Sequence, residues 1–83
     1  MNYNNQNSNN HFATSDIFLA SYLRLTGCQL LSIDRRDRKR IKFVFDGAAE
    51  EYAMKYFNGE GMVSASAFSR AISESRNLLF DVE

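Results

Sequence analysis

The stretch "RIKFVFD", Arg40–Asp46, decides the fold of this chain. Its apolar side chains alternate with others, so that Ile41, Phe43 and Phe45 share one face of an extended segment. Alternation of this kind is typical of a strand with one buried face. The stretch therefore predicts a strand whose aromatic face must be covered by other elements.

The preceding run "CQLLSID", Cys28–Asp34, is also β-prone, although it alternates less regularly. Two such runs joined by a short charged segment predict an antiparallel hairpin. The segment lacks Asn-Gly and Asp-Gly, so we expect a loop of about three to five residues. A two-stranded sheet is not stable alone, and helices must therefore pack on the Ile41/Phe43/Phe45 face.

The stretch "TSDIFLASYLRLTG", Thr14–Gly27, predicts the first helix. Thr14 or Ser15 is the expected N-cap, and Gly27 is well placed to end the helix in a left-handed conformation. Apolar side chains cover most of the circumference, and only Asp16, Ser21 and Arg24 form a narrow polar strip. Such a helix must be buried on most sides, either centrally or at a subunit interface. The predicted interface residues are Phe18, Leu19, Tyr22 and Leu23.

Two further helices follow the hairpin. In "AAEEYAMKYF" the apolar positions recur at helical spacing, which predicts the first of these helices. Asp46 is its expected N-cap, and Asn58 and Gly59 are expected to end it with positive φ angles. Ser64 is expected to cap a last helix from about Ala65 to Phe80. The inward positions of the two helices are predicted to be Ala49, Tyr52, Ala53, Tyr56 and Phe57, then Phe68, Ile72, Ser75 and Leu79, widened by Ala65, Ala71 and Leu78. The predicted fold is α+β, with the order helix, two-stranded hairpin, helix, helix (αββαα).

The N-terminal residues 1–11 are rich in Asn and predict a disordered tail, whereas residues 12–83 predict one compact domain. The single cysteine, Cys28, rules out an internal disulfide and is expected to pack as a small hydrophobic side chain. No signal peptide or membrane span is apparent, so a cytoplasmic location is expected.

Positive charge is concentrated in "DRRDRKRIK", Asp34–Lys42. Residues 35–42 hold six basic residues and one acid, whereas residues 43–83 hold three basic residues and seven acids. A basic hairpin on an acidic body can orient an encounter with a polyanion and neutralise phosphates. Two alternatives stay open: a solvated turn in which Asp34 and Asp37 pair with neighbouring arginines, or contact with an acidic protein. The predicted nucleic-acid-binding residues are Arg35, Arg36, Arg38, Lys39, Arg40 and Lys42.

No catalytic or cofactor-binding pattern accompanies this segment. Cys28 has no histidine expected within reach, and no Cys, His, Asp or Glu cluster has metal-ligand spacing. Glu50 and Glu51 are adjacent on a helix and point about 100° apart, so they do not form a catalytic pair. We therefore expect a non-enzymatic accessory or regulatory module without cofactor, metal, membrane or small-molecule substrate. The alternative is a protein-interaction module, dimeric or phage-encoded, acting through its first helix or its acidic last two helices.

The "TSD" start of an apolar helix, the "FVF" strand, the "YFNGE" turn and the paired leucines near the C-terminus form a recognisable set. Over about Phe12 to Phe80 the chain resembles a small bacterial and phage-associated family, domain of unknown function 5659. The resemblance implies a prokaryotic or phage setting and the element order above, and it brings no activity. The loop of this chain is richer in Arg and Lys than the family pattern requires, so a function based on the loop need not extend to the family.

Overall fold

The computed structural model describes residues 11–80. Most of the predicted disordered tail, residues 1–10, lies outside the described residues, as do residues 81–83. The described part contains, in chain order, strand β1 (His11–Thr14), helix α1 (Ile17–Leu25), strands β2 (Leu30–Asp34) and β3 (Lys42–Asp46), and helices α2 (Ala49–Phe57) and α3 (Ala65–Phe80).

The sheet has three antiparallel strands in the order β1-β3-β2, so the α+β class is confirmed but the two-stranded hairpin is wrong. The extra strand is the short β1, in which Phe12 lies opposite Phe45 and packs against the core. His11 and Ala13 of β1 are exposed, whereas Phe12 and Thr14 are half-buried. Four alternating residues beside a polar tail are too short a pattern to reveal a strand, and only pairing with β3 defines it.

Strand β2 alternates irregularly because it contains a bulge. The pairing with β3 shifts between Leu30 and Ser32, which leaves Leu31 without a partner residue opposite. The extra residue allows Leu30 and Ile33 to pack on the same core despite their odd spacing. Asp34 pairs with Lys42, so the loop comprises the seven residues 35–41 and is longer than expected.

Helix α1 is buried from two sides, which explains its apolar circumference. Its Leu19 and Leu23 join Phe43 and Phe45 of β3 in one core, and all four side chains are almost fully buried. Ala49 and Ala53 bring α2 to the same cluster. On another side α1 packs against α3, where Ser21 and Ser75 are both buried. The central position is therefore the correct alternative for most of this helix.

Hydrogen bonds at the helix ends correct two predicted N-caps. Asp16, rather than Thr14 or Ser15, caps α1, because its Oδ1 accepts from the amides of Phe18 at 2.9 Å and Leu19 at 3.2 Å. Thr14 Oγ1 instead accepts from the Asp16 amide. Asp46 accepts from the Ala48 amide, one residue before α2, and Ala48 is the N-cap without a side-chain bond.

The two glycines at the helix ends have the predicted positive φ angles, whereas the asparagine does not. Gly27 and Gly59 have φ angles of 93° and 76°, as a left-handed helix end requires. Asn58 has a φ of −84°, so its predicted positive φ is wrong. Ser64 Oγ accepts from the Ala67 amide at 3.3 Å, which confirms the predicted cap of α3.

Two predicted inward positions are solvent-exposed. Phe57 is 63% exposed at the end of α2, and Ala65 is exposed in the first turn of α3. Both lie at helix ends, beyond the part of each helix that meets a neighbour. The remaining predicted inward residues of α2 and α3 are buried or half-buried.

Candidate nucleic-acid interface

The basic loop, residues 35–41, is an ordered turn between β2 and β3. Asp37 organises its centre, because Asp37 Oδ1 accepts from the Lys39 amide and the Asp37 carbonyl accepts from the Arg40 amide, both at 3.0 Å. The Asp37 carboxylate thus accepts a hydrogen bond from a backbone amide, whereas the solvated-turn alternative expected it to pair with a neighbouring arginine. The loop holds its cationic side chains on a fixed turn.

Arg35 is directed back to the protein. Its Nη2 donates to the carbonyl of Leu78 at 2.7 Å, and its Nη1 donates to the carbonyl of Leu79 at 3.0 Å. These carbonyls belong to the last turn of α3, whose dipole favours a cation. Arg35 therefore fastens the basic loop to the end of α3.

Arg36 pairs with Asp34 in a two-point contact. Arg36 Nε lies 3.0 Å from Asp34 Oδ1, and Nη2 lies 2.7 Å from Oδ2. The side-chain and backbone hydrogen bonds from Arg36 lower the pKa of the Asp34 carboxyl to about 2, and Asp34 raises the pKa of the Arg36 guanidinium. The Arg36 side chain is 91% exposed, so the pair contributes little to stability.

The other four predicted contact residues have no comparable bonds among the described residues. Within residues 11–80, their side chains make no hydrogen bond or ion pair, and all four are exposed. We call them the cationic cluster: Arg38, Lys39, Arg40 and Lys42. The predicted six-residue site therefore divides into two residues whose side chains form hydrogen bonds within the described part of the chain and four whose side chains form none there, although Lys42 lies opposite Asp34 across the strands and its charge helps to lower the pKa of the Asp34 carboxyl.

An open cleft of about 440 Å³ lies against the loop. Arg38, Lys39 and Arg40 of the cationic cluster line it together with Ile41, Ser15 and Leu79. The structure thus joins the loop to the residue before the α1 cap and to the end of α3. No sequence signal could have placed Ser15 and Leu79 there, because they are distant along the chain and carry no motif.

The predicted interface on α1 is mostly internal. Leu19, Tyr22 and Leu23 are at most 5% exposed within the single chain, which removes them from any partner surface of the folded protein. Phe18 remains 49% exposed, with its ring centroid 6.5 Å from that of Phe68. The cause is the core formed by β3 and α2, where Leu19 and Leu23 cluster with Phe43 and Phe45 and where Tyr22 lies against Tyr56.

Other chemistry is sparse in the described part of the chain. Cys28 is half-buried against the core, and its Sγ lies 3.3 Å from Thr26 Oγ1. Among residues 11–80 no group of three or more His, Cys, Asp or Glu could hold a metal ion. No helix in that range has both the length and the apolar character to cross a membrane.

Fold and surface together define a small α+β domain with a helix-backed three-stranded sheet and a cationic loop. The chain belongs to the family described as Domain of unknown function (DUF5659), whose model matches residues 9–80. This confirms the family resemblance, and the match covers every helix and strand from β1 to α3. No curated protein matches the chain. No solved structure matches it.

Proposed function

We propose that this protein is a small non-enzymatic accessory or regulatory module that binds nucleic acid through its basic loop. The observation that carries the proposal is the cationic cluster, whose four exposed side chains make no hydrogen bond or ion pair within residues 11–80. Each contact between such a charge and a phosphate releases counterions from the nucleic acid. The proposal narrows the predicted site to Arg38, Lys39, Arg40 and Lys42.

The placement of the cluster supports this function. Three of its residues follow one another on a turn that Asp37 and Arg35 hold in place, so little ordering of the backbone is needed on binding. Acids are concentrated in residues 43–83, away from the loop in sequence, and would repel a polyanion from that part of the chain. A turn that is merely solvated would need neither a backbone held in place nor a separation of acidic from basic residues.

Fluorescence anisotropy with a labelled oligonucleotide tests the proposal at two salt concentrations. Binding is expected at low salt and should weaken as salt rises. The double variant Arg38→Gln, Arg40→Gln should lower the affinity at least tenfold and reduce the slope of log affinity against log salt by about 1.4 to 1.8. Absence of binding by the wild-type protein at low salt would refute the proposal.

A matched control separates local contacts from net charge. Arg70 and Arg76 are exposed on α3, and the double variant Arg70→Gln, Arg76→Gln removes the same two charges. It should bind within about twofold of the wild-type protein, because these residues do not line the cleft. Equal weakening by both double variants would instead mean a non-local charge effect.

A second candidate, a protein-interaction module, is favoured by apolar side chains around Tyr22. Phe18 lies one turn from Tyr22 on α1, and the Tyr22 ring is 5.4 Å from that of Tyr56. Gly61 approaches the Tyr22 ring so closely that an added Cβ would lie 2.7 Å from it. The next residue, Met62, is 87% exposed, and Phe18 is 49% exposed. These two residues offer apolar contact area to a protein partner.

Light scattering and sedimentation of the Phe18→Glu variant test self-association by this surface. If the wild-type protein forms dimers, Phe18→Glu should yield monomers, because a buried unpaired carboxylate is strongly unfavourable at an interface. Met54→Glu is the control, because it adds the same charge at an exposed residue of α2; Met54 is 54% exposed and lies two residues from Tyr56. This variant should leave the association state unchanged. A wild-type monomer at high concentration would eliminate the homodimer form of this candidate.

A further inference from the structure

The cleft beside the basic loop combines two kinds of wall. Arg38, Lys39 and Arg40 provide positive charge, and Ser15 adds a hydroxyl. Ile41 and Leu79, both half-buried, provide apolar surface in the same cleft. Phosphates bound by surface charge alone require no apolar wall. The combination instead suits a ligand that carries a phosphate and a flat apolar group, as a nucleotide does.

The walls of the cleft are held at a fixed separation. Arg35 donates to the carbonyls of Leu78 and Leu79, and it thereby joins the loop wall to the α3 wall. On the third side, Asp16 fixes the start of α1 through the amides of Phe18 and Leu19. The cleft is therefore formed before a ligand arrives, which is usual for small-molecule sites.

The dimensions restrict what can enter. A volume of about 440 Å³ lies toward the small end of the range of about 300 to 1,000 Å³ that ligand pockets occupy. A duplex keeps its bases stacked and presents mainly its phosphates to a loop, so the apolar wall would stay empty. A single strand can turn one base out of the stack and place it against Ile41 and Leu79.

We propose that the cleft holds one unstacked nucleotide, and that the protein therefore prefers single-stranded nucleic acid to duplex. The inference rests on the proposed nucleic-acid function. The cations bind the phosphates on either side of the nucleotide, and the apolar wall receives the base. Among residues 11–80 no aromatic side chain lines the cleft, so the base is held there by apolar contact rather than ring stacking, and little sequence preference is expected.

The test compares one labelled oligonucleotide as a single strand and as a duplex at the same salt concentration. The single strand should bind about three- to tenfold more tightly, since burial of one base against two aliphatic side chains is worth on the order of that factor in affinity. Equal affinities, or tighter duplex binding, would overturn this inference and leave the proposed function intact. Binding of neither form would instead refute the proposed function itself.

Neighbouring leucines provide a variant and its control. Leu79→Ala removes part of the apolar wall, while the Leu79 carbonyl can still accept from Arg35. The variant should weaken single-strand binding about three- to tenfold without changing duplex binding. Leu78→Ala removes the same groups from a half-buried residue that does not line the cleft, and it should change neither affinity more than twofold. Equal losses from both variants, or no loss from Leu79→Ala, would overturn the inference.

A competition experiment distinguishes a nucleotide from a bare anion. A nucleoside monophosphate should displace the labelled single strand at a concentration at least about tenfold below that of inorganic phosphate at matched ionic strength. In labelled protein, the monophosphate should also shift the amide resonances of Ser15, Ile41 and Leu79. Equal competition by inorganic phosphate would reduce the cleft to a simple anion site and overturn the assignment of a nucleotide.

Discussion

Helix α1 and the basic loop differ in what surrounds their polar side chains. On α1, Ser21 is buried and shares a 2.9 Å hydrogen bond with Ser75. On the loop, Arg38 and Arg40 are exposed and lack side-chain partners within residues 11–80. The difference is whether a second element covers the polar group. Helix α3 covers one side of α1, whereas at the loop its carbonyls accept hydrogen bonds from Arg35.

The comparison separates residues that stabilise the protein from residues that are free to bind a ligand. Leu23 and Ser21 of α1 are buried and have contacts inside the chain, so their loss should change the free energy of unfolding. The cationic cluster makes no side-chain hydrogen bond or ion pair in the described range, so its loss should change binding with little effect on stability. Substitutions in the two regions can therefore confirm or refute the separation.

The largest stability effect is expected from Leu23→Ala on α1. Leu23 is fully buried, and the cavity left by its side chain should lower the free energy of unfolding by about 2 to 5 kcal/mol, measured by urea denaturation. Leu25→Ala is the control on the same helix, because Leu25 is 38% exposed, and it should cost under about 1 kcal/mol. If Leu23→Ala leaves no folded protein, Leu23→Val should give a measurable intermediate loss. Similar effects at both leucines would contradict the central position of α1.

The buried serine pair should give the next effect. Ser75→Ala leaves Ser21 Oγ still donating to the Ile17 carbonyl and should destabilise the protein by only about 0.5 kcal/mol, whereas Ser21→Ala leaves the buried Ser75 hydroxyl without a hydrogen-bond partner among the described residues and should cost about 1 to 2 kcal/mol. In a double-mutant cycle with Ser21→Ala, the double variant should lose less than the sum of the single losses, because no hydroxyl is then left unpaired. Ser73→Ala, at an exposed position of α3, should be neutral or slightly stabilising. Additive losses in the cycle would mean that the two hydroxyls are not coupled.

Arg35 tests the boundary between the two regions. Arg35→Gln removes a cation from the end of α3 and should lower the melting temperature by about 2 to 8 °C, which corresponds to about 0.5 to 1 kcal/mol. Arg38→Gln removes the same charge from the same loop and should leave the melting temperature within about 2 °C of the wild type. Thermal unfolding followed by circular dichroism measures both. The reverse order of effects would show that the loop is not divided as described.

The smallest effect concerns Asp34. Because Arg36 lowers the folded-state pKa of Asp34 from 3.8 to about 2, their contact adds stability above the ordinary pKa, and this contribution is lost as the pH falls through about 2. A carboxyl titration by nuclear magnetic resonance should give a midpoint near 2, which moves toward 3.8 in Arg36→Gln. Arg38→Gln should leave the midpoint in place. An unchanged midpoint in Arg36→Gln would assign the shift to another cause.

Some elements were predictable because their signals are local. The alternation around Phe43 and Phe45, the left-handed glycine after α1 and the cap at Ser64 each depend on residues a few positions apart. Strand β1 was not predictable, because its four residues show a strand only when paired with β3. The extra residue in β2 was visible only as irregular alternation, since a bulge is defined by the partner strand.

The candidate site divides in the same way. By itself, the sequence determined the α+β class, the buried face of β3 and the concentration of charge between Asp34 and Lys42, because periodicity and charge are properties of neighbouring residues. Only the tertiary structure decided that Arg35 contacts α3, that Leu19 and Leu23 are internal, and that Ser15 and Leu79 meet the loop at one cleft. The physical reason is that burial and hydrogen bonding depend on which distant elements meet.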